Sequence, residues 1–162
     1  MKDKKPLRFT VAKIVPADIV DSWKLFEAAE KLNPQKYPVL DEETPFDIRA
    51  KLLSAMCSPH FFGVMARVGK KPVGQMTGMV SVRPYGSPRV YFSFWLFFVD
   101  PAYRSEGVAK QLFLELSRAL KAKGVHSFES IIDPEMIPVM EKVYGGPLPT
   151  VSHRIIGKLR AT

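Results

Sequence analysis

Apolar and polar residues alternate through much of Leu7-Arg8-Phe9-Thr10-Val11-Ala12-Lys13-Ile14-Val15, the period of a strand with one buried face. Pro16-Ala17-Asp18 interrupts that period. From Ile19 the spacing lengthens: Ile19, Trp23, Phe26 and Leu32 recur at near-helical intervals, and Asn33-Pro34 supplies a stop. A second helix is predicted to start at Thr44-Pro45-Phe46-Asp47, with a capping threonine and proline at the first helical position. It runs through Ile48, Leu52, Leu53 and Met56 and ends before Ser58-Pro59. Between the two helices, Asn33 to Pro45 holds three prolines and the acidic run Asp41-Glu42-Glu43, which predicts a loop. Loops of that length in compact domains are often functional, although a plain connector has the same composition.

Two further strands, Phe61 to Val68 and Val73 to Val82, are predicted to meet at Gly69-Lys70-Lys71-Pro72, and Pro84-Tyr85-Gly86-Ser87-Pro88 makes the next turn. Val90 to Val99 is almost continuously apolar and aromatic, with Ser93 its one clearly polar interior position, and reads as a strand buried on both faces. From Gly107 to Lys123 the residues Ala109, Leu112, Phe113, Leu116, Ala119 and Leu120 share one helical stripe, and Gly124 follows as the C-terminal stop. A strand over Val125 to Ile132, a short helix over Glu135 to Val143 and a last strand over Thr150 to Leu159 complete the expected elements.

Composition narrows the class of protein. A chain of 162 residues has the size of one domain, and about 68–70% of the unfolded surface is buried when roughly 150 residues fold. The lone Cys57 cannot form an internal disulfide. Its simplest reading is a small buried hydrophobe. The start Met1-Lys2-Asp3-Lys4-Lys5-Pro6 has no apolar signal-type region, and the longest apolar stretch, Phe94 to Val99, falls far short of the ~20 residues that span a bilayer. A soluble, cytoplasmic protein with no membrane partner is expected. A net charge of +8, from 24 Lys and Arg against 16 Asp and Glu, favours polyanionic ligands. Nucleic acid is disfavoured among these, because the basic residues are scattered and not interleaved with aromatics. One Cys and three dispersed His fit no metal spacing, so no metal is expected.

The informative arrangement is a buried strand ending at Val99, the turn Asp100-Pro101-Ala102-Tyr103, the hexapeptide Arg104-Ser105-Glu106-Gly107-Val108-Ala109, and then the amphipathic helix. A helix N-terminus offers unpaired backbone N–H groups and a partial positive charge to an anion. Gly107 and Ala109 leave room for a phosphate to approach, and Arg104 can add a charge-assisted hydrogen bond. Taken alone, Gly107 could be a turn residue and Ala109 a packed helix position.

With those residues in view, Val99 to Ala109 resembles the cofactor-binding motif of the GNAT N-acetyltransferases: Arg or Gln, two residues, Gly, one residue, then Gly or Ala. Arg104, Gly107 and Ala109 match it. The resemblance extends weakly over almost the whole chain and implies an α/β (α+β) fold, with a mixed, mostly antiparallel central sheet flanked by helices, as one domain over residues 1–162. It implies acetyl-CoA as acyl donor, with its pyrophosphate held by backbone amides of Ser105, Glu106, Gly107, Val108, Ala109 and Lys110 and its pantetheine arm paired with the strand through Phe97, Phe98 and Val99. It further implies direct transfer of the acetyl group to the primary amine of a small molecule or protein, and a homodimer among the expected assemblies.

The catalytic groups depart from the family pattern. Where the family carries Asn and, seven residues later, an acid tyrosine, this chain has Asp133 and Met140. A thioether cannot donate a proton. Tyr144, one helical turn further on and next to Gly145-Gly146, is the candidate general acid, with packing against the core as its alternative role. Val90 to Val99 carries no carboxylate to act as base; Ser93 can position a water and His60, His126 and Glu129 can titrate, but a purely structural role is the preferred reading of each. A coenzyme A-binding module without catalysis is therefore the alternative reading, and a basic nucleic-acid-binding protein ranks third.

Overall fold

The computed structural model describes residues 7–32, 45–82, 90–125, 127–129 and 137–146. The strands Thr10–Lys13 (β1), Phe61–Val68 (β2), Lys71–Val82 (β3), Val90–Val99 (β4) and Ser127–Glu129 (β5) form one sheet in the spatial order β1-β2-β3-β4-β5. The first four pair antiparallel, and β5 lies parallel to β4. Helices Ile19–Leu32 (α1) and Pro45–Met56 (α2) cover one face of the sheet, while Val108–Lys121 (α3) and Ile137–Tyr144 (α4) cover the other. This is the mixed, mostly antiparallel sheet flanked by helices that the sequence implies.

Covering both faces explains the unbroken apolar runs in the strands. In β2 every residue from Phe61 to Ala66 is buried, with Phe62, Val64 and Ala66 turned to α3 and Phe61 and Met65 turned to α1 and α2. Helix α3 contributes Val108, Leu112, Phe113, Leu116 and Leu120 to the first of these layers. Burying each such side chain is worth roughly 1.5–3 kcal/mol relative to exposure, so this one stripe accounts for the helix's position. On the other face the buried Ser22 of α1 and Gln75 of β3 satisfy each other. Ser22 Oγ donates to Gln75 Oε1 at 2.8 Å, and Gln75 Nε2 donates to the Ser22 carbonyl oxygen at 3.0 Å. Arg67 of β2 pairs with Asp18 at 2.8 Å and with Asp21 at 3.4 Å, tying the sheet to the start of α1.

Strand β4 breaks its own alternation. Phe92 packs in the α3 layer, whereas Leu96 and Phe98, of the same parity, pack in the α1 layer. The register explains the switch: Gly78 of β3 opposes Phe94 and the adjacent Thr77 opposes Leu96, which leaves Trp95 as the extra residue of a β-bulge. Gly78 is required there, because a Cβ at that position would overlap the carbonyl oxygen of Ser93 and lie 2.6 Å from Phe92 Cζ.

Several expectations are revised. The first strand is shorter than Leu7 to Val15, because a 3-10 turn at Pro16–Asp18 draws the chain away from β2 and Asp18 accepts the Val15 N–H at 2.8 Å. β4 is not buried on both faces throughout, since Val90 is 41% and Trp95 48% exposed. Cys57 is exposed, following the last turn of α2. The predicted loop over 33–44, the turn at 84–88 and the last strand over 150–159 lie outside the described residues.

Candidate active site

The end of β4 is fastened on three sides. The Asp100 N–H donates to the Val73 carbonyl oxygen at 2.9 Å, extending the β3–β4 ladder by one bond. Its carboxylate Oδ1 accepts the Ala102 N–H at 3.0 Å and starts a 3-10 helix over Pro101–Glu106. Lys71 lies 3.5 Å from Asp100 Oδ2, with its ammonium 5.1 Å from the centre of the Tyr103 ring. Arg104 then turns back, and its Nε donates to the Val99 carbonyl oxygen at 3.0 Å.

Gly107 links the 3-10 helix to α3 in the left-handed region, with φ +80°, where a side chain costs roughly 1–2 kcal/mol. The residue does more than turn the chain. A Cβ built on it meets no atom within 4 Å, so open space lies in front of the N-terminus of α3. Its N-cap is Gly107, which has no side chain to offer, and its first turn carries no acidic residue. The leading N–H groups of α3, which have no acceptor within the helix, therefore open onto this space with the positive end of the helix dipole. Lys110 and Ser105 are exposed beside it, Glu106 and Ala109 are half-buried, and Val108 is fully buried as the anchor of the helix.

A second opening runs along β4. Strand β5 pairs with it only at Tyr91, Phe92 and Ser93. Among the described residues, the edge from Phe94 to Val99 has no strand on that side, so the pairing that ends at Ser93 leaves a notch along β4, closed at its far end where the Val99 carbonyl accepts from Arg104. Phe97 is half-buried against the α3 layer, Val99 is buried with it, and Phe98 is buried in the α1 layer. Their side chains serve the core, so it is the backbone of this segment that borders the notch.

Tyr144 stands apart from that cluster. It is the last residue of α4, 42% exposed, and Gly145 ends the helix with φ +89°. Its ring packs edge-on against Phe113 at 5.9 Å and tilts against Phe128 of β5 at 6.1 Å. Phe128 in turn meets Phe94 at 5.7 Å, so a chain of rings connects Tyr144 to the top of the notch. Met140 is 4% exposed and, with Val143, forms the buried face of α4. Ser93 is half-buried beside the notch and His60 is exposed beyond α2. His126, Asp133 and the acidic run 41–43 lie outside the described residues, as does the Glu129 side chain. Sequence reasoning missed the bulge at Trp95, although glycine inside a strand, here Gly78, is a recognisable signal for one.

Residues 25–145 match the model of the Acetyltransferase (GNAT) family. None of the curated proteins compared matches the sequence. Among solved structures the fold is similar to an aminoglycoside acetyltransferase, meta-AAC0020, from an uncultured soil metagenomic sample in complex with sisomicin. That pair has 15% identity and a TM-score of 0.70, covering 95% of this chain and 96% of the other. It is also similar to the aminoglycoside N-acetyltransferase AAC(6')-Iy in complex with CoA, at 19% identity and TM-score 0.69, over 99% of this chain and 100% of that one. A Trypanosoma brucei acetyltransferase aligns over 95% of this chain and 100% of its own, at 15% identity and TM-score 0.67.

Proposed function

The chain belongs to the GNAT acetyltransferase family, and from that premise we propose that it binds acetyl-CoA along β4 and transfers the acetyl group to a primary amine. The observation that carries this reading is the open space beside Gly107 at the glycine-capped N-terminus of α3, together with the edge of β4 past Ser93 that pairs with no strand among the described residues. A pyrophosphate at the helix N-terminus satisfies those donors. From there the backbone of Val99 back to Phe94 spans roughly 16 Å at about 3.3 Å per residue, enough to lay an extended pantetheine arm against the strand and bring its thioester to the bulge at Trp95. The CoA bound to a structural neighbour supports the cofactor, and the aminoglycoside bound to another supports a small-molecule amine as acceptor.

The reaction is a direct displacement. The unprotonated amine attacks the thioester carbonyl, a tetrahedral oxyanion forms against backbone donors, the nitrogen gives up its extra proton to a base through water, and the C–S bond breaks to release coenzyme A as a thiolate that takes a proton. Tyr144 is the proposed proton donor. The buried Met140 favours a second reading, a coenzyme A-binding module without turnover, because the only side chain that α4 buries at that position has no proton to give.

Calorimetry with acetyl-CoA, followed by thiol release across a panel of amines, separates the two. Binding with turnover supports the enzyme, and binding without turnover on any amine supports the module. Gly107→Glu is expected to abolish binding of acetyl-CoA, since it sets bulk and negative charge beside the pyrophosphate. Wild-type affinity in that variant would refute the site.

A further inference from the structure

On the face of the sheet opposite α3, the bulge presents the side chain of Trp95 next to the notch. It is 48% exposed, and its ring lies 6.4 Å from that of Phe61 at an interplanar angle of 58°. Phe61, Met79 and Ser93 are successive members of one cross-strand row on that face. Trp95 follows Ser93 along β4. Beside the first unpaired residues of β4 an exposed indole thus rests on the buried phenyl ring of Phe61, with the half-buried thioether of Met79 and hydroxyl of Ser93 next to it. A half-exposed tryptophan braced by a second ring is rigid and amphipathic, and its face attracts both flat apolar groups and cations.

Resting on the acetyl-CoA reading above, we propose that Trp95 is a specificity-determining residue and that the acceptor is a primary amine carried on a short arm from an aromatic or flat apolar body. The body stacks on the indole, with Phe61 and Met79 below. The arm then directs the nitrogen past Ser93 into the notch, where the thioester lies. The bulge gives this role to Trp95: with regular alternation, residue 95 would lie in line with Ser93 and Phe97 on one face, whereas here Phe97 and Ser93 face opposite layers and Trp95 is left over between them.

The test compares phenethylamine and tryptamine with putrescine at saturating acetyl-CoA, using the full chain, with acetyl-CoA affinity measured first by calorimetry. The arylalkylamines are expected to show kcat/KM at least ten-fold above putrescine. Trp95→Ala is expected to raise the acceptor KM about ten-fold or more, a larger change than in acetyl-CoA affinity, and Trp95→Phe to restore most of the loss. If the parent protein fails to bind acetyl-CoA, the cofactor reading falls and this one with it. If acetyl-CoA binds normally but putrescine is used as well as phenethylamine, or Trp95→Ala leaves the acceptor KM where it was, the assignment of Trp95 alone is overturned.

Discussion

Arg104 donates from Nε to the carbonyl oxygen of Val99 across 3.0 Å. One of the five donors of its guanidinium thus locks the turn after β4 to that strand's last residue, and the remaining four stay at an exposed rim. The arginine both shapes the turn and brings positive charge to the place proposed for the pyrophosphate.

Removing it therefore has two expected effects. Arg104→Met loses a hydrogen bond from a charged group, worth about 1.5–3 kcal/mol, and the charge. Calorimetry should show acetyl-CoA binding weakened at least about ten-fold. Arg104→Lys keeps the charge but lacks the planar fork that can reach Val99 and a phosphate together, so it is expected to recover only part of the affinity. Equal affinities in all three proteins would mean that Arg104 serves only to shape the turn.

Gly107 separates conformation from space. Because no atom lies within 4 Å of a Cβ built there, substitution is opposed only by the positive φ. Gly107→Ala is expected to cost about 1–2 kcal/mol, a fall in melting temperature of a few degrees for a chain of this size. Gly107→Asn, which tolerates the left-handed region better, should lose less. Thermal denaturation of the pair checks this, and a larger loss for Asn than for Ala would contradict the argument from φ.

For Tyr144, the Phe variant keeps the ring contacts with Phe113 and Phe128 and removes only the hydroxyl. If the phenol protonates the departing thiolate, Tyr144→Phe should lower kcat by about 10²–10⁴ with acetyl-CoA affinity unchanged. Retention of full kcat would leave Tyr144 as a packing residue and move the search for the acid elsewhere.

The sequence made these sites legible to different degrees for physical reasons. The α3 stripe from Leu112 to Leu120 and the apolar run of β2 were readable because burial imposes a period or a length on them, while the buried Val108 was not in the stripe as read. The turn at Gly107 was readable because few residue types satisfy a positive φ between two helices. The face switch in β4 was not. Its cause lies on another strand, where Gly78 admits the bulge, and a continuous apolar run hides a change of parity because both faces want the same residue types. Tyr144 was legible only as a residue: whether its ring would face the notch or the core depended on how α4 sits against Phe113 and Phe128, which no local pattern encodes.

Gly78 offers the most direct test of how fold and site are joined. A methyl group there would overlap the Ser93 carbonyl oxygen, and that contact is backbone, so no rotamer change relieves it. Gly78→Ala can be accommodated only by moving β4 away from β3 or by flattening the bulge. Either response displaces Trp95 and the unpaired edge that begins beside it. The expected result is a loss of about 1–3 kcal/mol in denaturant unfolding, the usual range for overpacking, together with a fall in kcat larger than the change in acetyl-CoA affinity. The reason for that asymmetry is distance along the strand. The turn proposed for the pyrophosphate, Arg104 to Lys110, is held by Asp100 and Arg104, far along β4 from Gly78, whereas the proposed place of the thioester is the bulge itself. A variant that lost acetyl-CoA binding in parallel with kcat would show instead that β4 shifts as one body, and that the bulge has no separate part in placing the reacting carbonyl.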